Sequence, residues 1–167
     1  MALKLQVMLF LLFPLLGMAQ DKSNLSRFHI QPDRDYMAQS PYTFEQTIER
    51  LQKVLESKNI TIFATIDHQA AAKAVGENMQ PATVLIVGNP KVGTALMQEN
   101  PLLAIELPLK ILIYKEEKIV RIRYEKIAAI AEKYHIKQNF STAQKIDAAM
   151  LQLIKSSIGE YPRATAD

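Results

Sequence analysis

Between Phe44 and Leu55 the apolar residues Phe44, Ile48, Leu51 and Leu55 recur at helical spacing, with polar residues between them. That period buries one face of a helix. Thr43 and Gln46 form a capping box at its start, Glu49 and Lys53 pair one turn apart outside, and Asn59 closes it in the left-handed conformation. The pattern then changes. Residues 60–66 are rich in β-branched side chains and read as a strand, after which Asp67 caps a short Ala-rich helix from His68 to Val75 that stops at Gly76. Residues 83–87 are continuously apolar and predict a strand buried on both faces or nearly so. Asn89 then caps, and Pro90 opens, a helix ending at Asn100-Pro101. Residues 102–107 read as a strand interrupted by Pro108.

Residues 109–115 and 118–124 form a hairpin about Glu116-Glu117, with Val120, Ile122 and Tyr124 facing one way and Arg121 and Arg123 the other. Ile127, Ile130, Ala131 and Tyr134 mark one further helix. A Ser141/Gln144 capping box opens the last, with Ile146, Met150, Leu153 and Ile154 inside. Tyr36 to Ser40, ended by Pro41, adds a short first strand. These elements predict an α+β domain: a mostly antiparallel sheet with helices packed on one face and an extra C-terminal helix.

The N-terminus has a different character. Lys4 precedes a ten-residue apolar run, residues 7–16, and Gly17-Met18-Ala19 is a small-x-small cleavage context. That is the pattern of a secretory signal peptide, too short and too soon interrupted to span a bilayer. The expected organisation is a signal at 1–19, a partly ordered leader at 20–35, a core at 36–136, a helical extension at 137–158 and a frayed tail at 159–167. The mature chain is expected to be exported, periplasmic or secreted, and soluble, without stable membrane insertion after cleavage.

Composition narrows the chemistry. At 167 residues the chain suits one domain, and zero Cys excludes a disulfide scaffold, a thiol nucleophile and Cys-ligated zinc. The net charge of +3 falls to +2 once Lys4 is removed, and the basic residues are spread along the chain. Nucleic-acid binding, which concentrates Lys and Arg on one face, is not expected.

The remaining candidates each have a plain structural rival. Asp67-His68 lies where a strand hands over to a helix, so His68 could carry a proton with Asp67 orienting it, or Asp67 could be an ordinary N-cap. Residues 88–94 contain two Gly around Asn89, Pro90 and Lys91, but no Lys stands before the hydroxyl as a phosphate loop requires. A helix N-terminus with Lys91 beside it can still hold a carboxylate or phosphate group. Glu106 and Lys110 flank Leu107-Pro108-Leu109, either as a surface ion pair or as the floor of a small polar pocket near the Asn89 turn. The three His are far apart and no Gly-x-Ser-x-Gly elbow exists, so neither a metal site nor a serine hydrolase is expected. No cofactor is expected either.

Thr43-Phe44-Glu45-Gln46-Thr47 opening a helix, Ile66-Asp67-His68 after a strand, Gly88-Asn89-Pro90-Lys91 and Leu107-Pro108-Leu109-Lys110 follow in an order and spacing that resembles the domain of unknown function 302 family. The likeness runs from about Tyr36 to Tyr134. It implies helices against a mostly antiparallel sheet and self-association, and it implies no reaction, cofactor or substrate. It also draws interest to Asp67, His68, Asn89, Pro90 and Pro108. The resulting expectation is a non-catalytic exported module that binds a small ligand or protein partner around Asp67, His68 and the Asn89 turn, as a monomer or homodimer. The rival is a small hydrolase or isomerase with His68 as base, Asp67 orienting it and Lys91 stabilising developing negative charge.

Overall fold

The computed structural model describes residues 33–159. The expected signal segment, nearly all of the leader and the tail beyond Gly159 lie outside the described residues. Five strands form one sheet in the order β1-β5-β4-β3-β2: β1 (Asp35–Ser40), β2 (Thr61–Asp67), β3 (Ala82–Gly88), β4 (Leu109–Glu116) and β5 (Ile119–Glu125). Every neighbouring pair is antiparallel. The helices are α1 (Phe44–Ser57), α2 (His68–Ala74), α3 (Pro90–Glu99), α4 (Ile127–Lys133) and α5 (Phe140–Ile158). The fold is α+β.

The alternation of side chains explains the layering. Leu85, Val87, Ile111, Ile113 and Ile122 occupy one face of the sheet, and each is fully buried. Leu51 and Leu55 of α1, Leu96 of α3, Ile127 of α4 and Ile154 of α5 complete that core. The capping box of α1 forms as its sequence requires: the Gln46 N–H donates to Thr43 Oγ1, and the Thr43 N–H donates to Gln46 Oε1, both at 3.2 Å. Two buried hydroxyls at the foot of α1 satisfy each other, Ser40 Oγ and Thr47 Oγ1 being 2.7 Å apart. The guanidinium of Arg50 donates to Ser157 O at 2.7 Å and ties α1 to α5.

The opposite sheet face carries half-buried Val84, Ile86, Leu112 and Tyr114, together with Arg121 and Arg123. Arg123 pairs with Asp35 at 2.7 Å, and Arg121 with Glu116 at 2.5 Å. β3 is therefore buried on one face and half-buried on the other, with no residue exposed, close to the expectation of a strand covered on both faces or nearly so. Two expectations change. Residues 102–107 do not form a strand, because Asn100 Oδ1 accepts from the Leu102 N–H at 3.0 Å and Pro101 starts a single 3-10 turn, Pro101–Ile105. Ser141 does not cap the last helix, which begins one residue earlier at Phe140; a carboxylate from α3 meets the backbone ahead of it.

Candidate functional site

Where β3 ends, the chain makes a corner that defines one side of a cavity. Asn89 Oδ1 accepts from the Lys91 N–H at 3.1 Å, and Pro90, whose missing N–H has no helical partner to lose, occupies the first position of α3. Gly88 allows a close approach at this corner. A Cβ there would lie 3.4 Å from Pro108 Cβ and 3.5 Å from Phe63 Cε2. The Leu107-Pro108 peptide is cis, and it delivers Pro108 to the corner just before β4. Phe63 sits where the register of β2 against β3 shifts between Ile62 and Ala64, and it remains 51% exposed.

Between this corner and α5 lies a cavity of roughly 510 Å³. That volume falls in the range of small-molecule sites, about 300–1,000 Å³. Phe63, Val87 and Pro108 form its sheet side, Val92 and Met97 its α3 side. From α5 come Ile146, Ala149, Met150 and Leu153, one stripe of the helix at spacings of three and four. The lining is almost wholly apolar. Asn89, Thr142 and Lys145 supply its polar groups, and Asn89 is already committed to capping α3. Lys145 is exposed, and its ammonium meets no carboxylate among the described residues. Among the described residues no His, Asp or Glu lines the cavity.

The residues singled out by sequence do not form one site. Thr83 stands opposite Asp67 and Gly88 opposite Thr61, so Asp67 and the Asn89 corner lie at opposite ends of β3. Five strand residues separate them by roughly 17 Å. Asp67 Oδ1 accepts from the Ala70 N–H at 2.9 Å as the N-cap of α2, and His68 is exposed on that seven-residue helix. Asn89, Pro90 and Pro108 do meet in the cavity wall, while Lys91 is exposed just outside it. Glu106 is turned towards α4: it accepts from Lys133 Nζ at 2.7 Å and from the Tyr134 hydroxyl at 2.8 Å. Those two hydrogen bonds hold its carboxyl below the ordinary range. Lys110, on the half-covered face of β4, reaches the Glu106 carbonyl at 3.4 Å rather than its carboxylate. Of the two readings of Glu106 and Lys110, a surface ion pair or a polar pocket floor, neither describes the geometry: Glu106 anchors α4, Lys110 meets the Glu106 carbonyl, and the adjoining cavity is apolar.

The family described as Domain of unknown function DUF302 matches residues 36–156. The chain belongs to the DUF302 family. The match continues through most of α5, beyond the motifs that carry the sequence likeness. An uncharacterised DUF302 protein of Bacillus stearothermophilus has the same fold, with a TM-score of 0.69 at 20% identity over 74% of this chain and 97% of that one. Two curated relatives, named Fluoride-specific ion channel FluC 1 in Brucella suis and in Brucella abortus, are 33% identical over 78 residues, 47% of this chain. The matched stretch is 31% and 29% of their lengths, so this DUF302 chain spans under a third of each. No described helix is long and apolar enough to cross a membrane.

Sequence reasoning missed Phe63 and the cavity-facing side of α5 in this DUF302 domain. Ile146, Met150 and Leu153 lie inside as their spacing predicts, Met150 and Leu153 in the core, and the same side chains also wall the cavity. The available signal was width: Ala149, Ile146 and Thr142 extend the stripe past what the core takes up, and Ala149 stays exposed.

Proposed function

We propose that this DUF302 chain is an exported, non-catalytic binding module whose cavity between the Gly88–Pro108 corner and α5 holds a small, mainly apolar molecule. The observation that carries this reading is the cavity itself: roughly 510 Å³ walled almost wholly by apolar side chains, with Asn89, Thr142 and Lys145 as the polar groups among the described lining residues. The match to less than a third of larger relatives supports a module. The channel activity in their names is not carried over. The apolar run and small-x-small context at residues 7–19 support export. Catalysis by His68 has no comparable support, because Asp67 is occupied as a helix cap and His68 stands away from the cavity.

The test uses N-phenylnaphthylamine, a neutral apolar fluorophore. Saturable one-to-one enhancement is expected with the parent protein. Ala149→Phe, a substitution at an exposed helical position that fills the cavity, is expected to weaken it at least tenfold with thermal stability unchanged. Equal binding by that variant, or no saturable binding by the parent, refutes the reading.

A second observation supports self-association. β2 is paired on one side only, six of its seven residues are exposed, and Phe63 and Ile66 are 51% and 39% exposed. An open edge of this composition is a template for another strand. Its acidic end, Asp67, and the basic Lys58 preceding its start favour an antiparallel, two-fold arrangement of two copies.

A further inference from the structure

The charge at the cavity rim narrows the ligand class. Among the described residues, Lys145 is the sole titratable group in the lining, and no carboxylate accompanies it there. Its neighbours one turn away on α5 are Ser141, Thr142, Ala148 and Ala149, so no acidic residue on the helix neutralises it. The ammonium is exposed while Ile146, Met150 and Leu153 of the same helix turn inward. A long side chain in that position keeps its charge in water and its stem along apolar surface. Resting on the binding-module reading, we propose that the ligand is a single monomeric amphiphile with an apolar body in the cavity and one anionic head paired with Lys145. Thr142, one turn before Lys145, offers a hydroxyl to the same head. A cationic head would meet uncompensated like charge at the rim, and a neutral one would leave the ammonium without a partner.

Calorimetric titration of the full chain with three probes of equal chain length tests this: decanoate, decanol and decyltrimethylammonium, each below its aggregation concentration. Decanoate is expected to bind about fivefold more tightly than decanol, the size of an exposed ion pair, and the cation more weakly than either. Lys145→Glu, at an exposed position without an ion-pair partner among the described residues, is expected to reverse the order of decanoate and the cation. Equal affinity for all three heads, or an order unchanged in Lys145→Glu, overturns the anionic-head assignment while leaving the cavity reading intact. Failure of every probe to bind overturns both.

Discussion

Glu99 shows how much one side chain can hold at a distance. Projecting from the end of α3, its carboxylate accepts from the N–H groups of Lys137, Gln138 and Asn139 at 2.6, 2.9 and 2.9 Å. These backbone donors, with Lys137 first among them, outweigh the effect of burial and bring its pKa down to about 2 from 4.5. An unfolded chain would bind this proton near 4.5, well before the native state does. The stabilisation is therefore complete above pH 4.5 and lost as pH falls towards 2. Urea unfolding across that window is expected to show a steep acid loss in the parent and a shallower one in Glu99→Gln, which begins less stable at neutral pH. Parallel stability curves for the two proteins would exclude the assignment. Nothing in the local sequence around Glu99 marks this role, since its partners lie 38 to 40 residues away.

Among elements, α4 depends on another for its start. The side chain of its own N-cap residue, Lys126, does not cap it. Asp147 of α5 does so instead, accepting from the Ile127 N–H at 2.8 Å and the Ala128 N–H at 2.9 Å. Burial raises the Asp147 carboxyl, and the two N–H donors oppose that shift. Asp147→Ala is expected to cost about 1 kcal/mol, the usual loss of a helix cap, and Asp147→Asn, which keeps an acceptor, less. Guanidinium unfolding at neutral pH decides it; an Ala variant as stable as the parent would refute the capping role. The contrast with α1 is instructive. Thr43 and Gln46 cap that helix from within four residues, so its beginning was legible in the sequence. The caps of α4 and α5 were not, because they come from other elements. The 3-10 turn was misread for a related reason. Its apolar residues suit a strand, but Leu103 is fully buried while Leu102 and Ile105 are 71% and 78% exposed, a turn's pattern rather than a strand's alternation.

For the whole molecule, the open edge of β2 makes a sharp prediction. The chain has no Cys, so Ala64→Cys introduces its sole thiol at the centre of that strand. In an antiparallel two-fold pairing centred there, the two thiols face each other at a separation a disulfide accepts. Mild oxidation is expected to yield a covalent dimer for Ala64→Cys and none for Gln39→Cys, an exposed position on the opposite edge strand. Sedimentation of the parent is expected to show a reversible dimer. Equal cross-linking from both positions, or a strictly monomeric parent, would remove β2 as the interface.

Hydrophobic period, capping residues and turn residues determined the α+β class, the antiparallel hairpin, the start of α1 and the helix after Asp67. Each is decided within a few residues of chain. They also marked Asn89, Pro90 and Pro108, because a strand-to-helix corner needs such residues wherever it occurs. Only the tertiary structure separated Asp67 and His68 from that corner, since strand register, not sequence order, sets which ends of β2 and β3 meet. It alone brought Phe63, Pro108 and the α5 stripe around one space. A cavity is the gap left between packed elements, and its walls join residues whose separation along the chain carries no local energetic signal.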